Sequence, residues 1–227
     1  MANESAIDLI ETFSPGVASL VTASTLHRNF KAAVSVGDLS SAQLTIGGVR
    51  IRATEITGVV TTVAYFLPQE FYEVEPADRE YVCAEVRAFF IYLLTVLRCK
   101  KLNPPTPKSL SGLGLHRIEW MKAARGWGIP VWAGRIRNGL PVTDEAAERP
   151  RLRATVIGDA IVEDDLPGRV CEYAQALARA FEMPYVRLRF AATREDEYAL
   201  ADLSFVPDVS VPANRAAIAR FMEVPRH

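Results

Sequence analysis

The sequence predicts an α/β protein in two parts, an N-terminal α/β domain and a smaller C-terminal α+β half. Three observations support this prediction. Short β-branched runs bounded by turn residues fill much of residues 16–66, a long amphipathic helix pattern follows at 75–99, and the order after residue 151 reads β-β-α-β-β-α. Sheets and helices that alternate in this way bury their apolar faces against each other in layers.

The N-terminal sheet is predicted from four segments. Residues 16–24 and 29–36 are β-branched and bounded by turn residues, as short strands are. Residues 42–54 alternate apolar and polar side chains around Gly47-Gly48, which predicts a hairpin. Residues 57–66 form a further apolar, β-branched run, which we interpret as a buried strand.

Two helices follow in this half of the chain. In residues 75–99 apolar side chains recur at steps of three and four, and Asp78 and Glu80 lie in the first turn, where the helix dipole favours acids. Three prolines exclude a helix at 102–110. A second helix is predicted at 115–125, ended by Gly126 and Gly128.

The predicted domain boundary lies at 138–151, a stretch with two prolines and many charges. It divides the chain into residues 1–137, a linker at 138–151, and residues 152–227. In the last part we expect two strands at 152–162 around Gly158-Asp159, a helix at 167–182, strands at 185–191 and 198–205, and a closing helix at 214–222.

Composition excludes several classes of function. The 227 residues carry 26 basic and 27 acidic side chains, a net charge of -1, which disfavours a nucleic-acid partner. No apolar run approaches the roughly 18 residues of a membrane span. The N-terminal residues are acidic where a signal peptide would be basic, so we expect a soluble, cytoplasmic protein.

The three cysteines are odd in number and widely spaced, so neither a disulfide framework nor a zinc site is predicted. The three histidines are equally scattered, and we expect no metal site. Asp202 and Asp208 with Glu195 and Asp196 form an acidic group, which solvated surface charge explains better than a metal site. The tryptophans Trp120, Trp127 and Trp132 are expected to be packing anchors.

Residues 102–131 combine Asn-Pro-Pro, a short spacer, a helix and Gly-Ile-Pro-Val. This order resembles the end of the N-terminal domain in RimK-like ATP-grasp ligases, including the graspetide-type peptide cyclases. Those proteins open the helix with Asn-Lys or Asp-Lys, where this chain has His116-Arg117. Arg153, Thr155, Gly158 and Asp159 are similar to the strand pair of the same family's C-terminal half. The resemblance implies a pre-ATP-grasp-like N-terminal domain and a C-terminal half like the ATP-grasp C-terminal subdomain.

The departures from the family pattern carry as much information as the matches. Residues 131–151 are all that stands where the family has its central ATP-clamping subdomain. Where the resemblance implies an aspartate and a Glu-x-Asn that hold Mg²⁺, this chain has Arg189, Asp202 and Ser204. A shift of one residue in this comparison brings Arg187 or Leu188 to the first position, and neither restores a ligand.

Two further site predictions come from the residues themselves. Asn103, His116 and Arg117 are the candidates for binding an anion at a helix N-terminus, although a solvated basic first turn beside a proline loop is the favoured explanation. Gly112-Leu113-Gly114 lacks the third glycine, the preceding strand and the distant acid of a dinucleotide loop.

The sequence therefore predicts a degenerate ATP-grasp-like pseudo-ligase, without a cofactor, that serves as a binding or regulatory partner of an ATP-grasp ligase or a peptide. We expect a homodimer or a heteromer with an ATP-grasp homologue. The alternative is an enzyme of peptide or natural-product biosynthesis that reuses the inter-domain cleft through Arg117, Arg153, Arg189 and Asp202 without ATP-grasp chemistry. An intact ATP-dependent ligase is the least favoured interpretation.

Overall fold

The computed structural model describes residues 2–13, 18, 21, 30–35, 38–46, 48–132, 136–137, 140–141, 151–194 and 197–223. The chain divides into two compact units. The first comprises Met1–Leu113 together with Asp208–His227, and the second comprises Gly114–Pro207. The mixed α/β architecture confirms the predicted fold class.

In its described residues, the first unit contains a three-stranded antiparallel sheet, a two-stranded parallel sheet and three helices. Its elements are α1 (Ala2–Glu11), β1 (Phe30–Ser35), β2 (Asp38–Ile46), β3 (Val49–Arg52), β4 (Gly58–Val59), α2 (Arg79–Val96), β5 (Lys100–Lys101) and α5 (Pro212–Glu223). Two 3-10 turns occur at Ala53–Glu55 and Pro68–Glu70. The predicted strand at 16–24 lies outside the described residues.

The hairpin of β2 and β3 confirms the turn predicted from the paired glycines. Ile46 pairs with Val49, and Gly48 has a φ of +84°, a backbone region that glycine enters without steric cost. β1 completes the sheet with the order β1-β2-β3. The buried core beneath it joins the sheet to α2 through residues of β2, of the turn after β3, of α2 and of the chain that follows α2: Ala42, Leu44, Ala53, Leu93, Leu94, Leu97 and Leu110.

The predicted buried strand at 57–66 is wrong beyond its first residues. Only Gly58–Val59 pairs, in parallel, with Lys100–Lys101. After Lys101 the paired strand enters the proline-containing stretch at 102–110, where prolines lack the N–H needed to extend a ladder. Val63 and Tyr65 are consequently exposed, at 43% and 56% of their surface.

The C-terminal segment returns to the first unit and packs beside its N-terminal helix. Arg215 on α5 forms an ion pair with Asp8 on α1 at 3.4 Å. The Lys100 ammonium donates to the Phe221 carbonyl and lies 4.2 Å from the centre of its ring. Ile218 is fully buried.

The described residues of the second unit form a four-stranded antiparallel sheet, a two-stranded ladder and two helices. Its elements are α3 (Arg117–Gly126), the short strands β6 (Ile136–Arg137) and β7 (Leu140–Pro141), β8 (Arg151–Ile157), β9 (Ala160–Ile161), α4 (Gly168–Phe181), β10 (Tyr185–Arg194) and β11 (Glu197–Ser204). The sheet order is β11-β10-β8-β9. The strands and helices predicted after residue 151 are thereby confirmed in type and order.

The boundary predicted at 138–151 lies largely outside the described residues and stays a prediction. The compact division instead changes unit at Gly114, so that α3 belongs with the C-terminal sheet. Val131 bridges Leu200 in parallel, which ties the residues after α3 to the edge of β11. Among the described residues, no helix is both long and apolar enough to cross a membrane.

Candidate functional site

The candidate site is one face of the sheet in the second unit. Side chains alternate between the two faces of a strand, so Val186, Leu188 and Phe190 of β10 share one face. All three are fully buried, and the Phe190 ring stacks on Tyr173 of α4 at 6.3 Å. Arg187 and Arg189 therefore point to the face opposite α4, and both are half-buried.

The strand register aligns three of the predicted site residues in a single line. Arg189 pairs with Arg153 of β8 on one side and with Asp202 of β11 on the other. Residues directly opposite in antiparallel strands point to the same face. We call Arg153, Arg189 and Asp202 the arginine row. A bulge at Arg189/Phe190 is what brings Asp202, rather than Ala201, into this line.

A second line of polar residues runs beside the arginine row. Arg187 pairs with Thr155 of β8 and with Ser204 of β11. Thr155 is fully buried and donates its hydroxyl to Glu163 at 2.7 Å, while its backbone N–H donates to the other oxygen of Glu163 at 2.5 Å. The Nε atom of Arg187 is shielded from solvent. Among the described side chains of these two lines, three guanidinium groups lie against two carboxylates.

This charge distribution suits the binding of anions. A guanidinium presents planar, paired donors that match a carboxylate or a phosphate in bidentate geometry. Like charges directly opposite each other disfavour a sheet by up to about 1 kcal/mol, and an anion held between Arg153 and Arg189 would lower that cost. Mg²⁺ requires hard anionic oxygen donors, and the arginine row supplies a single carboxylate beside two cations. The row therefore does not fit Mg²⁺.

The predicted anion site at the start of α3 already holds a carboxylate of the protein. Glu119 in the first turn accepts the N–H of His116 at 2.6 Å. One of the N–H groups that a bound anion would need is thereby used, and the helix dipole is complemented. His116 is exposed and Arg117 is half-buried. Asn103 is buried in the first unit, whereas His116 and Arg117 begin the second.

Glu163 is the residue of this face that sequence reasoning missed. The predicted turn at Gly158-Asp159 pairs Ile157 with Ala160 and Val156 with Ile161. The same register places Val162 opposite Thr155, and the Val162 N–H donates to the Thr155 carbonyl. Glu163 reaches Thr155 from the residue after this pair, so the hairpin register alone does not locate its carboxylate.

The tryptophans pack, as the sequence predicts. Trp120 is 4% exposed within α3. Trp127 is partly exposed but its ring meets Phe181 edge-to-face at 5.1 Å. Trp132 donates its backbone N–H to Leu200. These residues anchor α3 and the following segment to the sheet and are not part of the polar face.

Acidic residues do not gather into a metal-binding group in the part of the chain that the structure describes. Asp202 lies on the arginine row, and Asp208 accepts hydrogen bonds from the backbone and hydroxyl of Ser210. Glu195 and Asp196 lie outside the described residues.

By sequence, the chain matches no protein-family description and no curated protein. By structure, it is similar to the macrocyclase MdnC of Microcystis aeruginosa MRC, solved with its precursor peptide MdnA, with a TM-score of 0.74 and 15% identity over 97% of this chain and 95% of that one. A RiPP-associated ATP-grasp ligase of Chryseobacterium gregarium, in complex with ADP and a leader and core peptide, gives a TM-score of 0.68 and 12% identity over 98% and 93%. The ATP-grasp ligase PsnB with a minimal precursor gives 0.68 and 12% over 97% and 93%. The chain therefore has a fold like that of RiPP-associated ATP-grasp ligases.

Proposed function

We propose that this chain is a peptide-binding protein with an ATP-grasp-like fold that does not catalyse ATP-dependent ligation. It serves as a binding or regulatory partner of an ATP-grasp ligase or of its peptide substrate. The observation that carries this proposal is the arginine row, in which Arg189 stands between Arg153 and Asp202.

The charge of the row supports a loss of ligase chemistry. ATP-dependent ligation needs Mg²⁺ to bridge the phosphates and neutralise the charge that develops on them. Arg189 occupies the strand on which the resemblance implies a metal-binding aspartate, and a guanidinium there repels the cation. Ser204 offers a neutral hydroxyl where the resemblance implies an asparagine.

The short connection at 131–151 supports the same proposal. A nucleotide clamp requires strands that present lysines to the phosphates and a loop that covers them. In the described part of this stretch, Ile136–Arg137 and Leu140–Pro141 form only a two-residue ladder. We propose that this connection does not form the lysine-presenting strands of a nucleotide clamp.

A peptide ligand is supported by the fold likeness. MdnC, the Chryseobacterium gregarium ligase and PsnB were each solved with a precursor or a leader and core peptide. On this chain the arginine-rich face would hold carboxylates of such a peptide, because side-chain and terminal carboxylates match the guanidinium donors. A dimer of this chain, or a heteromer with a catalytic homologue, is the expected assembly.

The first experiment is isothermal titration of ATP with Mg²⁺, and separately of ADP, into the purified protein. We expect no heat of binding up to millimolar nucleotide, while an ATP-grasp ligase in the same buffer binds. Micromolar binding of ATP with Mg²⁺ would overturn the proposal. Mass spectrometry of a peptide incubated with the protein without ATP tests the enzyme alternative, which a change in peptide mass would support.

The peptide-binding role has its own test at the arginine row. A fluorescein-labelled peptide rich in glutamate should bind the protein, and Arg189→Ala should weaken this binding roughly fivefold to tenfold, as expected for one charge-assisted contact. Arg179→Ala is the matched control, because Arg179 is exposed on α4 and lies off the polar face. Equal effects of the two substitutions on fluorescence anisotropy would contradict the assignment of the site.

A further inference from the structure

The first unit contains an apolar pocket that the arginine row does not account for. It lies between α2 and residues 71–74 and has a volume of about 530 Å³. Pockets of roughly 300–1,000 Å³ are typical of ligand sites. Val82 and Val86 from α2, one turn apart, form part of its lining, together with the buried ring of Phe71.

The wall of the pocket is a cluster of aromatic rings that hold one another in place. Phe90 packs against Phe89 edge-to-face at 5.5 Å and against Phe30 at 5.1 Å. Phe66, behind the wall, contacts Phe71 at 6.3 Å and Phe90 at 5.7 Å. Aromatic pairs at these separations each add about 0.5–1.5 kcal/mol beyond area burial. The pocket is consequently preformed, so binding of a ligand does not carry the free-energy cost of ordering these side chains.

The charged residues among the described lining of the pocket are negative. Its lining includes the carboxylate residues Glu73 and Glu85, both of which are solvent-exposed. Arg79 donates to the carbonyls of Tyr72 and Val74, which fixes the segment that carries Glu73 and engages this guanidinium with backbone oxygen. An apolar floor with carboxylates at its mouth favours a ligand that joins an apolar group to a cation.

We infer that this pocket holds a large apolar side chain of a peptide, with a lysine or arginine of the same peptide beside it against Glu85. The inference rests on the proposed peptide-binding function and adds a second recognition site with the opposite charge preference from the arginine row. Burial of one large apolar side chain supplies affinity, and the carboxylates select the basic neighbour.

The test uses two fluorescein-labelled peptides with the same central phenylalanine, one flanked by lysines and one by glutamates. The lysine-flanked peptide binds this pocket. Val82→Phe fills the pocket and lowers that affinity roughly 10- to 100-fold, the loss expected when one apolar side chain is excluded. Glu85→Lys lowers it roughly fivefold to tenfold.

Matched controls lie on the same helix. Ala84→Phe adds the same ring at an exposed position, and Glu80→Lys makes the same charge reversal about 140° around the helix axis. Circular dichroism establishes that each variant is folded. Neither control should change the affinity for the lysine-flanked peptide by more than about twofold.

The outcomes separate this inference from the proposed function. The pocket assignment is overturned if the lysine-flanked peptide does not bind, or if it binds Val82→Phe and Glu85→Lys as tightly as it binds the unchanged protein. In that case the titration with ATP and Mg²⁺ still decides the proposed function. If the pocket substitutions weaken only the lysine-flanked peptide and Arg189→Ala weakens only the glutamate-flanked one, both sites are supported. If the chain binds ATP with Mg²⁺ as a ligase does, the proposed function fails, whatever the pocket binds.

Discussion

At the scale of single residues, the buried hydrogen bond between Thr155 and Glu163 is the contact most sensitive to change on the polar face. Thr155 has no exposed surface, and its hydroxyl lies 2.7 Å from the Glu163 carboxylate. Thr155→Val keeps the shape of the side chain but removes the donor, so a carboxylate loses a charge-assisted bond next to a new methyl group. We expect a cost of about 1–3 kcal/mol.

The measurement is urea unfolding followed by tryptophan fluorescence. All three tryptophans lie in the second unit, so this signal reports the unit that contains Thr155. Thr193→Val is the control, because Thr193 also lies in the second unit and its hydroxyl donates to the Glu197 carbonyl at 3.1 Å in an exposed hydrogen bond. A midpoint for Thr155→Val equal to that of the unchanged protein would contradict the prediction.

The Cys83 thiol tests the environment of α2. Burial raises the pKa of Cys83, and the negative charge of Glu70 raises this pKa further. Because the thiolate is the reactive form, we expect iodoacetamide at pH 8 to modify Cys83 more slowly than the half-buried Cys171. The pKa of Cys83 is therefore higher in the folded state than in the unfolded state. The contribution of this thiol to the free energy of unfolding is complete below the unfolded pKa and is lost as the pH rises through the folded pKa. Mass spectrometry of the alkylated peptides gives both rates, and faster labelling of Cys83 would contradict the assignment.

At the scale of the element, the position of each glycine at the end of α3 decides whether its replacement by alanine raises or lowers the stability. Gly128 has a φ of +72°, its N–H bonds the Arg125 carbonyl, and the Ile129 N–H bonds the Ala124 carbonyl. This is the hydrogen-bond pattern of a Schellman motif, in which a left-handed residue closes the helix. Gly126 is the last helical residue and has no such conformation.

The same exchange should therefore have opposite effects at two positions that are two residues apart. Gly128→Ala forces a side chain into the left-handed region and should destabilise the second unit by about 1 kcal/mol. Gly126→Ala meets nothing within 4 Å and should stabilise it by about 0.5 kcal/mol, because alanine loses less backbone entropy in a helix. Tryptophan fluorescence in urea measures both, and shifts of equal sign would contradict the motif.

The elements that the sequence predicted correctly are those with strong local signals. The hairpin at Gly48 and the strand pair at Gly158 follow from turn chemistry, and the helix at Arg79–Val96 follows from apolar spacing. The helix at Ala2–Glu11 was not predicted, because its pattern is short and its packing partner, α5, lies at the other end of the chain. The stretch at 57–66 was predicted as a strand because β-branched residues favour one, but strand pairing depends on a partner that prolines interrupt.

At the scale of the whole molecule, the sequence located most of the polar face, and the predicted boundary at 138–151 stays a prediction. Arg153, Arg189 and Asp202 were predicted as site residues, and the strand register brings them into line. The register itself depends on a bulge that no local pattern marks. The aromatic pocket was not predicted either, because Phe30 and α2 are joined only by tertiary packing.

The return of the last segment to the first unit gives a prediction that separates contact in space from neighbourhood in sequence. Ile218 is fully buried, and its helix supplies the Phe221 carbonyl and ring that hold Lys100 on β5. Ile218→Ala should cost about 2–5 kcal/mol, and the loss should fall on the first unit although the second unit intervenes in the chain. The readout is hydrogen exchange of the Lys100 and Leu102 amides, which bond the carbonyls of Thr57 and Val59.

Ile118→Ala is the matched control, since Ile118 is 79% exposed on α3 in the second unit. We expect exchange at Lys100 and Leu102 to accelerate in Ile218→Ala and to remain unchanged in Ile118→Ala. Exchange that is equally slow in both variants would show that α5 adds no stability to the parallel strands. Faster exchange confined to amides of the second unit would show that α5 stabilises the second unit and would contradict the prediction. Acceleration at Lys100 and Leu102 alone establishes that residues more than one hundred positions apart fold as one cooperative unit, which local sequence patterns do not encode.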